Sequence, residues 1–273
     1  MKKKNRQSLF LKIIVFAAAF FTVMALVFIV FYILIKGIPN LHLSLFSPRY
    51  TSENASLFPA LVNTITVTVL SLVIAVPLGI FSAIYLVEYA RRGNKLIALI
   101  RVTSETLAGI PSIVYGLFGF LLFVTTLGWG YSILAGSCTL AIMILPLIMR
   151  TTEEALKSVP DSLREGSFAL GAGKLHTVFR IALPAALPGI MAGIVLAVGR
   201  IAGETAALIY TAGTVAQAPD TLFSSGRTLS VHLYALWSEG INTNPSYAAA
   251  VILLVMVTGL NALSACIARF AGK

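Results

Sequence analysis

Among the charged residues that lie inside otherwise apolar stretches of the sequence, four fall in two pairs of equal spacing. Arg200 and Glu204 stand four residues apart in the run from about Ala185 to Ala212. Arg101 and Glu105 do the same in the run from about Ile97 to Leu127. On a helix that spacing places each pair on one face, a turn apart. Counted from Pro184, Arg200 falls about 24 Å along a helix that rises 1.5 Å per residue, near the middle of a bilayer. An arginine there costs at least ~2.5–3.5 kcal/mol. Two kinds of work suit the pair. One is a permanent Arg–Glu brace for helix packing. The other is an anion relay, in which Arg200 leaves Glu204 to grip two oxygens of a passing oxyanion with its planar fork. Gly199 and Gly203 alongside allow another helix to approach. Arg101 stands near the end of its run, where it can snorkel to water, and Glu105 is a candidate lower gate residue.

Covalent chemistry finds no support. No nucleophile–base or metal-ligand set stands out. His42, His176 and His232 are isolated and lack ligand spacing, which fits surface or packing roles. Cys138 and Cys266 lie in apolar runs and read as small packing residues. The phosphate-cradling pattern G-x-x-x-x-G-K-[ST] fails at Gly173-Lys174, where Phe168 holds the first glycine position and Leu175 the last. The chain therefore reads as a non-enzyme that binds no cofactor or metal, and any nucleotide belongs to another subunit.

The elements that position these charges are membrane spans. Of 273 residues, 58% are hydrophobic and 11% charged, with mean hydropathy +0.92. Soluble domains carry about 25% charged residues. The net charge of +10 sits in short loops between apolar runs, which argues for membrane orientation rather than nucleic acid. The first run, Phe10 to Ile35, is too long for a signal-peptide core and reads as a retained helix. Others cover about Leu57 to Tyr89 (kinked by Pro77 and Gly79), Ile97 to Leu127, Ser132 to Met149, Ala185 to Ala212 and Tyr247 to Ile267. Between the last two, Leu229, Leu233, Leu236 and Trp237 suggest an interfacial amphipathic helix. Six spans put both termini on one side. Sixteen of the 20 basic residues fall there, against Lys36, Arg49 and Arg227 opposite, which makes that side the cytoplasm. Residues 1–56 form a leader, first helix and outer loop, 57–268 a core with a coupling loop at 151–183, and 269–273 a tail.

The stretch from Arg164 to Pro184 is the most regular of the polar interruptions. Leu163, Ser167 and Leu170 share a helical face, Gly171 and Gly173 break the helix, and Lys174 to Arg180 restarts it. Glu165-Gly166-Ser167, then Gly171, then Ile181-Ala182-Leu183-Pro184 resembles the EAA loop of binding-protein-dependent ABC importer permeases, E-A-A-x3-G-x9-I-x-L-P. Gly166 and Ser167 replace the two alanines. Glu153-Glu154-Ala155 is a decoy, because Pro160 stands where the glycine belongs. The resemblance runs from about Leu57 to Ile267. It implies an all-α, six-span, type I (MetI-like) architecture, with Glu165, Gly166, Ser167, Gly171, Ile181, Leu183 and Pro184 docking on a cytoplasmic ATPase. ATP and Mg would then sit on that partner.

Two further stretches narrow the resemblance. Glu105 to Gly116, ETLAGIPSIVYG, is similar to the third-helix signature of phosphate-specific importer permeases. Gly199-Arg200, Gly203 to Leu208 and Thr211-Ala212-Gly213 are similar to their fifth-helix signature, nearer the PstA type than the PstC type. The implied partners are a PstC-type second permease, a PstB-type ATPase dimer and a PstS-type phosphate-binding protein, in a bacterial or archaeal plasma membrane. An arginine in a dry path suits sulfate or molybdate as well as phosphate, and only the resemblance separates them. A secondary anion transporter is the rival class; it should show two matched broken helices, a pattern not visible in the sequence.

Overall fold

A computed structural model describes residues 2–51, 54–90, 94–238, 240 and 243–271, with backbone alone at 2–7, 96, 243 and 267–271. Of the basic residues counted above, Arg91, Arg92 and Lys273 lie outside the described residues, as do the side chains of Lys2, Lys3, Lys4, Arg6 and Arg269. Regular structure among the described residues is helical: α1 (Lys2–Gly37), α2 (Phe58–Ile84), α3 (Lys95–Ala108), α4 (Ser112–Gly119), α5 (Ile133–Ser158), α6 (Asp161–Ala169), α7 (Lys174–Thr177), α8 (Leu183–Ala202), α9 (Ala206–Thr211), α10 (Leu229–Ser238) and α11 (Thr243–Ala271). Among the described residues five stretches are long and apolar enough to cross a membrane, and a bent pair supplies a sixth if it counts as one span.

The centre of the bundle is α5, packed between α2 and α8, with α11 against the far side of α8. Ile133, Leu140, Ile144 and Ile148 of α5 meet Val67 and Ala75 of α2, Ala197 and Ile201 of α8, and Leu208 of α9 in one buried cluster. Glycine permits the closest approaches. A Cβ on Gly193 would stand 2.1 Å from the Thr151 hydroxyl, and one on Gly79 would stand 2.6 Å from Ile148. By contrast α1 touches the bundle mainly along α11, and its apolar side chains are exposed. That is the pattern of a helix solvated by lipid.

Several expectations need correction. The third run is not one helix. Pro111 has no N–H to continue α3, and it forces extended backbone, so α3 and α4 meet at 104° around Gly109-Ile110-Pro111. The fifth run also breaks: α8 ends at Ala202, and Gly203-Glu204-Thr205 separates it from α9. The structure therefore contains two broken helices where the sequence suggested none. The second run, unlike these two, remains one span, with Pro77 inside α2. The fourth helix reaches Ser158 rather than Met149, so 151–158 is helix and not loop. In α10, Leu229, Val231, His232 and Leu236 are buried against α2, α9 and α11, while Tyr234 and Trp237 are exposed on the other face.

Candidate coupling surface and charged cavity

The coupling segment folds as its spacing demands. After α6, Gly171 adopts φ +83°, a left-handed conformation that a side chain would disfavour. The Gly171 N–H donates to the Phe168 carbonyl (2.9 Å) and the Ala172 N–H to the Ser167 carbonyl (3.1 Å). Those two bonds are the paired closures of a Schellman cap. The Ser167 and Thr177 hydroxyls meet at 2.8 Å and tie α6 to α7. Glu165 and Gly166 are exposed, and Leu170 is 90% exposed with Leu163, Phe168 and Leu175 also uncovered. A shallow hollow of about 670 Å³ runs along Leu163, Gly166, Ser167, Leu170, Gly171 and Ile181. Leu183 is half-buried, and exposed Pro184 lies in the first turn of α8. Contiguous exposed apolar side chains beside an exposed acid mark an interaction surface.

Arg164 anchors this surface. It is only 13% exposed, and its guanidinium donates to Glu88 (2.9 and 3.1 Å), to Asp161 (3.1 Å) and to the Leu156 and Val159 carbonyls (both 2.8 Å). Lys174 stands 4.8 Å above the Tyr89 ring. Glu88 and Tyr89 both belong to a π-helical turn, Tyr85–Tyr89, that ends the second span. A second π-turn, Val178–Ala182, joins α7 to α8. The coupling segment is thus held between two helix defects, a feature common at moving sites.

The other charges gather in a cavity of about 470 Å³ between α3, α5 and α8, lined by Arg101, Glu105, Arg150, Glu153, Glu154, Lys157 and Arg200. Neither expected pair forms. Arg101 reaches across to Glu153 (2.8 Å), the acid of the decoy motif, which also accepts from Lys157 (2.6 Å). Glu105 is exposed to the cavity. Glu204 lies outside it, because the helix has ended: its carboxylate accepts from the Thr205 and Ala207 N–H groups (3.2 and 3.3 Å) and so caps α9. Among the described residues no carboxylate comes within ion-pairing distance of Arg200. The structure thus brings Arg101, Glu105 and Arg200 together and leaves Glu204 apart. Gly199 does admit a neighbouring helix, with Asn261 of α11 against it.

Residues 75–272 match the family of binding-protein-dependent transport system inner membrane components. The chain belongs to this family. Curated relatives agree. The probable ABC transporter permease YqgI of Bacillus subtilis is 36% identical over 77% of this chain and 76% of its own length. The phosphate transport system permease PstA of Yersinia pestis is 34% identical over 96% of this chain and 89% of its own. Among solved structures, an inward-facing MetNI methionine ABC transporter covers 80% of this chain and 94% of its own, with TM-score 0.61 and 22% identity. A bacterial importer of alginate covers 92% and 95%, also at TM-score 0.61, with 17% identity. The chain is a multi-pass ABC importer permease with the MetI-like fold.

Within that fold the two signature stretches face each other. Gly116 of α4 lies so close to α9 that a Cβ would stand 2.9 Å from the Ala207 backbone, and Gly119 packs as tightly on Thr139 and Thr211. The Tyr115 hydroxyl donates to the Leu107 carbonyl (2.8 Å), bridging the bend between α3 and α4. The breaks thus sit beside one another because their small residues interlock. Sequence reasoning missed the Glu88–Arg164 clamp. Its signal was present: Glu88 is the single acid of the second apolar run, and Arg164 opens the coupling stretch.

Proposed function

We propose that this chain is a PstA-type permease subunit of an ATP-driven inorganic phosphate importer in a bacterial plasma membrane. The observation that carries the reading is an exposed helix–glycine–helix at the spacing of the family's coupling loop, in a chain whose relatives include phosphate permeases. Both termini and the coupling segment lie in the cytoplasm on this reading, supported by the excess of basic residues there. The exposed Leu170 and Glu165 face a groove of a PstB-type ATPase dimer, which holds ATP and Mg. A PstC-type permease completes the path, and a PstS-type protein delivers phosphate. Residues 57–268 form the transport core, with residues 1–56 as an accessory helix and outer loop.

The charged cavity is the inner mouth of that path. Among the described residues Arg200 has no carboxylate partner, so its fork is free for phosphate oxygens without first breaking a brace. Arg101, held by Glu153, lends positive charge, and Glu105 repels anions until the mouth opens. The test is ATP-driven [33P]phosphate uptake by the four-component complex in proteoliposomes, with sulfate as competitor. Uptake should fall at least tenfold with Arg200→Gln in a fully assembled complex. Normal uptake by that variant sinks the relay, and ATP-independent flux through this chain alone sinks the subunit assignment.

A further inference from the structure

The cavity that holds Arg200 has a neighbour. A second cavity of about 600 Å³ lies toward the coupling segment, with Glu88, Lys95, Asp161 and Arg164 in its wall. Leu86, Arg101 and Lys157 line both cavities, so the two meet at these side chains. Glu153 joins the group from the Arg200 side. Arg101 Nη2 and Lys157 Nζ converge on one of its oxygens, Oε1, at 2.8 and 2.6 Å. The carboxylate is 13% exposed, whereas the two cations are 42% and 53% exposed. Nε of Arg101 is buried and makes no hydrogen bond among the described residues. Nε and Nη2 form the side-on edge of a guanidinium, the edge that grips two oxygens of one anion. Arg164 presents both atoms of that edge to Glu88 (3.1 and 2.9 Å), but Arg101 uses only half of it.

Two cations crowd on one carboxylate oxygen, which leaves one positive charge in excess and donors unused. A tetrahedral oxyanion serves them better, because it brings separate oxygens to Nε, Nη2 and Nζ. The half-exposed cations are free to turn to it, while the acid is the most buried of the three. We infer that Glu153 is a displaceable internal anion. It occupies Arg101 and Lys157 between transport cycles, and phosphate passing from Arg200 toward the cytoplasm replaces it there. The acid then has two effects. It closes the junction of the two cavities when no substrate is present. It also limits how tightly substrate is held, since a displaced carboxylate stands beside the bound anion and repels it. A conduction path needs sites favourable enough to enter and weak enough to leave, and a resident acid supplies the second condition. Both ligands are pure donors, so this junction takes sulfate as readily as phosphate. The inference rests on the phosphate-importer reading and adds to it the residue that sets release to the inside.

A permanent brace between α3 and α5 would use the same contacts, so the experiment must read the anion as well as the activity. It measures [33P]phosphate uptake into proteoliposomes holding the four-component complex, with ATP and graded unlabelled anion on the ATPase side. Wild type should be inhibited by phosphate and by sulfate on that side, and not by chloride at equal ionic strength. In Glu153→Gln the inhibitory concentration of either oxyanion should fall about tenfold, because the repelling charge is gone, and maximal uptake should fall with it. A brace predicts lower uptake with an unchanged inhibitory concentration, and that result overturns the inference while leaving the importer intact. So does inhibition by chloride equal to that by sulfate, which is a bulk effect of salt. If Glu153→Gln does not assemble, Lys157→Gln decides. Its inhibitory concentration should rise about threefold, as for the loss of one half-exposed charge, and an unchanged value overturns the inference. A wild-type complex that carries no phosphate fails at the importer reading instead.

Discussion

Arg164 and Arg200 stand at the two ends of the helical run that begins in the coupling segment, and the chain treats them in opposite ways. Arg164 is surrounded by acceptors: two carboxylates and two main-chain carbonyls take up its donors. Arg200 lies at the end of α8 beside a cavity, with no carboxylate in ion-pairing range among the described residues. A guanidinium whose donors are all used is a strut. One whose donors are unused is available to a ligand.

Removing each arginine tests that difference most severely. Arg164→Ala leaves Glu88, itself only 10% exposed, without its cation. Breaking a buried pair from one side costs about 3–5 kcal/mol, so the expected result is a large fall in melting temperature and in the yield of assembled complex. Arg200→Gln strands no acid, and its stability should stay within about 1 kcal/mol of wild type while uptake collapses. Equal destabilisation by the two changes would erase the distinction. Glu88→Gln paired with Arg164→Gln in a double-mutant cycle would sharpen it, with a coupling energy expected only at this pair.

A smaller effect separates the two ends by pH. His232 is held at about 3, against about 6.5 for a free imidazole, first by burial and then by Arg227. Below pH 6.5 the unfolded chain binds a proton that the folded chain refuses until pH nears 3, so stability falls across that window as pH drops. At pH 5 the loss is about 2 kcal/mol, and above pH 6.5 this group contributes no slope. Thermal unfolding at pH 7 and 5 should show the loss in wild type and a reduced one in His232→Asn. An unchanged slope in the variant would remove His232 as its source.

How much of this was legible beforehand depends on the range of the signal. The apolar runs and the Gly171 turn were local patterns, and both appear in the structure, although the third and fifth runs break and the fourth helix runs on to Ser158. The partners of the charged residues were not legible, because an i,i+4 rule holds only while the helix does. Glu204 left Arg200 once α8 stopped at Ala202, and the carboxylate found nearer donors in the next turn. Arg101 had a choice of Glu105 one turn away or Glu153 across the bundle, and tertiary packing chose Glu153. The break at Pro111 was written in the sequence as Gly-Ile-Pro, and reading an unbroken span through it overlooked the restriction that proline places on the residue before it.

The finest comparison lies within the coupling segment, between its two glycines at motif positions. Gly171 carries φ +83° and closes the Schellman cap, so Gly171→Ala strains the backbone by roughly 1–2 kcal/mol. Gly166 is ordinary helix, and a Cβ there meets nothing within 4 Å. Gly166→Ala should therefore stabilise α6 by about 0.5–1 kcal/mol through helix propensity alone, and it restores the family's alanine at that position. The two substitutions add the same methyl group five residues apart, so their difference isolates backbone conformation from bulk. Gly171→Ala should also lower phosphate carried per ATP hydrolysed, because the turn sets the angle between α6 and α7. Gly166→Ala should leave that ratio unchanged. If instead Gly166→Ala uncouples the complex, the groove of the ATPase reads bulk on this face, and close approach rather than turn geometry is what the small residues of the motif provide.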